Sequence, residues 1–144
     1  MKRFFIFLFI LLFASVVHAK NIDYLVKELS QCPSKVYGGG FLVKEVIHPK
    51  NDGVNPGFST AYIVLKSHKK TEPHKLSNSN QVFFVIKGKA KIHIGNKVIN
   101  AKPNMAIYIN KNVWQWAEND TDNDFVFLCI VSPPWYKKEE VVKK

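Results

Sequence analysis

Apolar and polar positions along this 144-residue chain follow three rhythms. Residues 4–17 form an apolar run of fourteen behind Lys2 and Arg3. Residues 21–31, NIDYLVKELSQ, set Ile22, Leu25, Val26 and Leu29 three or four positions apart, which predicts a short helix capped by Asn21 or Asp23. Pro33 stops it from continuing. After Gly38-Gly39-Gly40 the period shortens to two, and Val, Ile, Phe and Tyr alternate with polar residues between clusters of Asn, Asp, Gly and Pro. That rhythm predicts strands at 41–48, 59–67, 81–87, 90–94, 97–100, 106–109, 113–117 and 125–131. Eight short strands at this density imply an antiparallel barrel or a pair of packed sheets.

The ends of the chain read differently from its middle. Lys2, Arg3, the apolar run and Val17-His18-Ala19 have the order of an export signal cut after Ala19. A run of fourteen is too short to cross a bilayer, which takes roughly 20 residues. The expectation is therefore an exported protein, periplasmic or extracellular, with no transmembrane anchor after cleavage. The remaining 125 residues make one domain, which buries roughly two-thirds of its unfolded surface. We divide the chain into a signal at 1–19, a helix and Gly-rich lead-in at 20–40, a barrel at 41–136, and a charged, peripheral tail at 137–144. The triple glycine lacks the Gly-Lys-Ser/Thr that would make it a phosphate loop.

Charge narrows the partners. Without the signal the chain keeps 19 lysines against 11 acidic residues, a net +8, and no arginine at all. Readers of nucleic acid lean on the planar arginine fork, and these lysines are scattered, so nucleic-acid binding is excluded as the function. Cys32 and Cys129 would enter an oxidising compartment, where a disulfide is permitted. Cys129 lies inside FVFLCIV, where a thiol behaves as a small apolar group.

Three stretches carry a family resemblance: EPHKLSNSNQVFFVIKGKAKIHIG, NMAIYINKNVWQWAEN and DNDFVFLCIVSPPWY. In their order and spacing they resemble the two motifs and the Pro-rich exit of the small single-domain cupins, over residues 42–136. The resemblance implies an all-β jelly-roll barrel, a double-stranded β-helix, here preceded by the short N-terminal helix. It also implies where a metal would sit. The first motif's two histidines, glutamate and glycine fall on His74, Leu76, Gln81 and Gly88. The second motif's glycine, proline, glycine, histidine and asparagine fall on Asn104, Asn110, Asn112, Gln115 and Asn119. The four ligand slots thus hold His74, Leu76, Gln81 and Gln115. Leucine cannot coordinate, an amide oxygen is a weak donor to a transition metal, and the neutralising carboxylate is gone. We expect no metal and no other cofactor.

What remains suggests a pocket kept for shape. Parity puts Gln81, Phe83 and Val85 on one face, and we place Tyr108 with Asn110 on the cavity side as well. The expected ligand pocket is His74, Leu76, Gln81, Phe83, Tyr108 and Gln115, mostly apolar with a few amide, imidazole and phenol groups. The first reading is non-catalytic binding of a small molecule or partner. The alternative is a cupin enzyme, either metal-free with His74 and Tyr108 as proton carriers or metal-dependent through a site rebuilt with Glu72. His48, His68 and His93 read as surface or strand-end residues. If Gln115 faces inward, Trp114 and Trp116 face outward and need a cover, either Leu25 and Leu29 of the helix or a second copy of the chain.

Overall fold

The computed structural model describes residues 22–38 and 40–143; the signal expected at 1–19 lies outside them. Its strands are β1 (Ser34–Tyr37), β2 (Phe41–Ile47), β3 (Ser59–Leu65), β4 (Lys69–Lys70), β5 (His74–Leu76) and β6 (Asn80–Lys87). They continue with β7 (Ala90–Ile94), β8 (Lys97–Ala101), β9 (Ala106–Ile109), β10 (Gln115–Asn119), β11 (Phe125–Ser132) and β12 (Glu140–Val142). Among the described residues one α-helix, α1 (Pro49–Asp52), interrupts them. Two sheets result, in the orders β1-β2-β3-β11-β6-β9 and β12-β5-β10-β7-β8, with β4 added to β10. Every pairing is antiparallel. This is the jelly-roll barrel that the strand density implies.

Alternation decides which face of each strand goes inside. Leu65, Val85, Ile92 and Phe125 are wholly buried between the sheets and anchor the core. Burying one such side chain contributes about 1.5–3 kcal/mol, so the core outweighs any single polar contact. Tight turns then fix the register. Gly88, between β6 and β7, has φ +79°, and a Cβ there would run into the Asp124 carbonyl oxygen. Asn104 and Asn112 also sit at positive φ, 68° and 63°. Asparagine is the side chain that best tolerates this conformation after glycine. The two motif glycines are therefore replaced by the nearest conformational equivalent. Asn119 is a brace: its Nδ2 donates to the carbonyls of Leu65, Lys66 and Asn123, and its Oδ1 accepts from Thr121.

Two expectations about the ends need correction. The N-terminal helix is not formed: only a 3₁₀ turn closes, at Leu29–Gln31. Val26 is 81% exposed, and Ile22, Leu25 and Leu29 each stay more than a third exposed, too little burial to hold so short a stripe as a helix in water. The tail, expected to be peripheral, supplies β12. It pairs with the open edge of β5, placing Val142 opposite His74 and Glu140 opposite Leu76. The Glu139 carbonyl accepts from both Ser77 N–H and Ser77 Oγ–H, and its carboxylate accepts from Ser79. A bare edge strand leaves backbone groups unpaired, and the tail removes that cost.

Candidate functional site

The barrel encloses a cavity of about 220 Å³. All four ligand-slot residues line it, His74 and Leu76 from β5, Gln81 from β6 and Gln115 from β10. His74 and Gln115 are directly opposed across β5 and β10, which brings their Cβ atoms within about 5.5 Å of each other. Phe83 and Phe127 form an apolar wall, their rings 4.7 Å apart. Glu72 also lines the cavity, from the exposed approach to β5.

Tyr108 is the exception among the expected pocket residues. On β9 it is Ile107 and Ile109 that are buried, while Tyr108 is 61% exposed on the outer face. It is not part of the cavity, and His74 and Tyr108 do not form a proton-carrier pair. The apolar–aromatic–apolar order of Ile107-Tyr108-Ile109 carries this answer; placing Tyr108 inside went against it.

Each polar group at the cavity has a definable state. His74 Nδ1 lies 2.9 Å from the Glu72 carbonyl oxygen, so Nδ1–H is the donor and Nε2 is left as the ring's free position. It is the backbone of Glu72, not its carboxylate, that orients the imidazole. Cys129 Sγ–H donates to Gln81 Oε1 at 3.6 Å. Burial pushes the Cys129 thiol up to about 12, which leaves it unreactive. Gln115 is 1% exposed, and neither its Oε1 nor its Nε2 has a hydrogen-bond partner. A buried polar group without a partner costs about 1–3 kcal/mol. Gln115 is the one such side chain among the described residues.

The mouth was missing from the sequence reading. Tyr37, Glu45, His48, Trp135, Lys137 and Glu140 line it, brought there by β1, β2 and the C-terminal segment. Its charges are mostly spent on one another: Lys50 bonds Glu45 at 2.6 Å and Lys137 bonds Glu140 at 3.2 Å. Burial works against the Glu45 carboxylate, but the hydrogen bonds from Lys50 and Asn51 outweigh it and hold Glu45 below the usual carboxylate range. Burial, then the Glu140 and Glu45 carboxylates, raise the Tyr37 phenol. His48 is buried and satisfied: Nδ1 accepts from Lys50 N–H, and Nε2–H donates to the Trp135 carbonyl at 2.6 Å. It caps α1 and has no ring nitrogen free for chemistry. Adjacent signals existed in Glu45 and His48 on one strand end, but nothing local showed that Tyr37 and Trp135 would fold over them.

The metal implied by the resemblance does not fit these donors. One imidazole, two neutral amides and a leucine cannot offset a divalent charge. Among the described residues no three His, Cys, Asp or Glu side chains come together as a cluster. His68 pairs with Asp122 at 2.9 Å on the surface. The tryptophans find their cover within the chain. Trp116 stacks on His93, its cross-strand partner, with ring centroids 4.2 Å apart, and the Lys75 ammonium lies 5.4 Å over Trp114. Cys32 and Cys129 are both free and buried.

Comparison with known proteins agrees with this geometry. The family pattern described as Cupin domain matches residues 61–131. The uncharacterized protein MJ1618 of Methanocaldococcus jannaschii is 26% identical over 97 residues, which is 67% of this chain and 76% of that one. Among solved structures, Streptomyces Pac13, described as a unique nucleoside dehydratase, superposes with a TM-score of 0.69 at 10% identity, covering 84% of this chain and 92% of its own. A predicted oxalate decarboxylase of Thermotoga maritima superposes with a TM-score of 0.67 at 15% identity, covering 76% and 99%. At such identities the likeness to both structures concerns the fold alone.

Proposed function

This chain carries a cupin-superfamily domain, and from that premise we propose that it is an exported binding protein, holding a small molecule in the barrel without a resident metal and without turning it over. The observation that carries the reading is Gln115. A barrel maintained only for stability gains nothing from a buried amide with both polar atoms unpaired, and Leu or Met there would cost less. An amide beside an apolar cavity is what a site needs to orient a ligand. Export is supported by the order of charge, apolar run and small residues over 2–19.

One observation favours an enzymatic second reading. His74 donates Nδ1–H to a carbonyl and keeps Nε2 free, the state of a general base. The structural relatives include proteins described as enzymes. Against that, the expected second proton carrier lies outside the barrel, and no cavity carboxylate hydrogen-bonds the ring.

The test is mass spectrometry under native conditions on protein recovered from its own cells, with elemental analysis of the same sample. We expect a small organic molecule bound, only traces of metal, and a recovered molecule that is unchanged after incubation with either wild type or His74→Ala. Stoichiometric zinc, iron, manganese or nickel, or a chemical change in the molecule that depends on His74, overturns the non-catalytic reading. N-terminal sequencing of that protein should begin at Lys20; an intact Met1 overturns the export.

A further inference from the structure

The polar groups around the cavity constrain what kind of molecule fits, given the binding reading above. Deep in the barrel the groups available are the imidazole of His74 and the two carboxamides of Gln81 and Gln115. No Lys, Asp or Glu stands among the inward residues of β6, β9, β10 and β11, where Gln81, Phe83, Val85, Ile107, Ile109 and Ala117 are buried. The carboxylates at the mouth are tied up, Glu45 by Lys50 and Glu140 by Lys137. Glu72 lines the cavity only from its exposed approach, so a charged ligand seated deep in the barrel would have no counter-ion beside it, and an uncompensated buried charge is among the costliest groups in a protein.

Gln115 sharpens this. Its carboxamide carries a carbonyl acceptor beside an N–H donor, both unused and both shielded, and a rotation of its unbranched side chain would present that edge to the cavity the residue lines. The group complementary to such an edge is another like it, a donor next to an acceptor. The imidazole opposite adds a third point: with its Nδ1–H held by the Glu72 carbonyl, a neutral ring accepts at Nε2. Leu76, Phe83 and Phe127 supply apolar walls for the rest of the molecule. At about 220 Å³ the cavity is smaller than the roughly 300–1,000 Å³ of sites for drug-sized ligands, so one small ring fills it.

We infer that the cavity takes a small uncharged molecule with a cis-amide edge, as in a lactam, read by Gln115. This names the ligand class of the site proposed above and rests on that proposal. The test is an NMR titration of the folded chain, at pH 8, with three probes of similar size: 2-pyrrolidinone, cyclopentanone and butyrate. The lactam offers donor and acceptor, the ketone an acceptor alone, the carboxylate a charge. We expect 2-pyrrolidinone to move the Gln115 side-chain NH₂ resonances. It should bind about tenfold more tightly than cyclopentanone, the worth of one hydrogen bond. Gln115→Met should erase that preference, weakening the lactam more than the ketone, which loses only the bond it accepts. Equal binding of lactam and ketone, or tightest binding of butyrate, overturns the ligand class and leaves the binding reading standing. If no probe moves any cavity resonance, the ligand class falls, and the native mass spectrometry above decides the binding reading separately. The wild-type titration decides these cases by itself should the variant not fold.

Discussion

Replacing Gln115 by methionine should make the ligand-free protein more stable. Methionine keeps the length and the unbranched shape of glutamine and removes both unpaired polar atoms. Each unsatisfied buried group costs about 1–3 kcal/mol, and a volume-conserving change in a packed core costs less than about 1.5 kcal/mol. The balance is a gain of up to about 3 kcal/mol. In a domain of this size that raises Tm by up to about 10 °C. Calorimetry and urea unfolding of wild type and variant, both stripped of small molecules, measure it, with the urea slope unchanged because the same surface is exposed on unfolding. A ligand at a hundred times the wild-type Kd should narrow the difference, since wild type gains about 2.7 kcal/mol and a variant that binds tenfold more weakly about 1.4 kcal/mol. A Gln115→Met protein that is less stable than wild type without ligand refutes the reasoning: the amide would then be part of the scaffold, not a group waiting for a partner.

Three further outcomes follow from the same structure. Gly88→Ala should cost about 2–3 kcal/mol by urea midpoint, because φ +79° and the Asp124 carbonyl both resist a side chain; a loss within about 0.5 kcal/mol would contradict the turn described. Cys129 should resist iodoacetamide at pH 8 in the native protein and react once unfolded. Its thiol is raised from an ordinary 9.0 to about 12 by burial, so its stabilisation is whole below pH 9 and erodes toward pH 12, by up to about 1.4 kcal/mol per pH unit. Unfolding at pH 8 and pH 10.5 should show that loss in wild type and not in Cys129→Ala, and equal slopes would refute it. Removing residues 137–144 should strip hydrogen-exchange protection from residues 75–77, which β12 and Glu139 cover. Unchanged protection there would make the tail peripheral after all.

The barrel was legible because alternation in a strand is written residue by residue. Val85, Ile92 and Phe125 are where period two puts them, and Gln115 faces inward with Ala117 as parity requires. The N-terminal helix was not legible because spacing shows a stripe and not the surface it would pack on. Ile22, Leu25 and Leu29 have the helical spacing, yet each stays more than a third exposed, and the helix is absent. β4, β5 and β12 are two or three residues long, below the length at which any period can be read. They exist because neighbouring strands offer edges, which is a property of the assembled sheet.

The site divides along the same line. Its centre was legible, since the slots at His74, Leu76, Gln81 and Gln115 are set by spacing within motifs and all four meet in the cavity. Its mouth was not, because Tyr37, Trp135 and Glu140 arrive from both ends of the chain. The family's architectural positions and its chemical ones have also parted. Where the motifs need a left-handed turn, the chain has Gly88, Asn104 and Asn112, and where they need a brace it keeps Asn119. Where they need ligands it retains one histidine. One of the other slots is apolar, Leu76. Two slots instead hold amides, and Gln115 carries both its polar atoms unpaired at a standing cost. On the binding reading proposed above, a molecule seated in the cavity beside Gln115 would repay that cost.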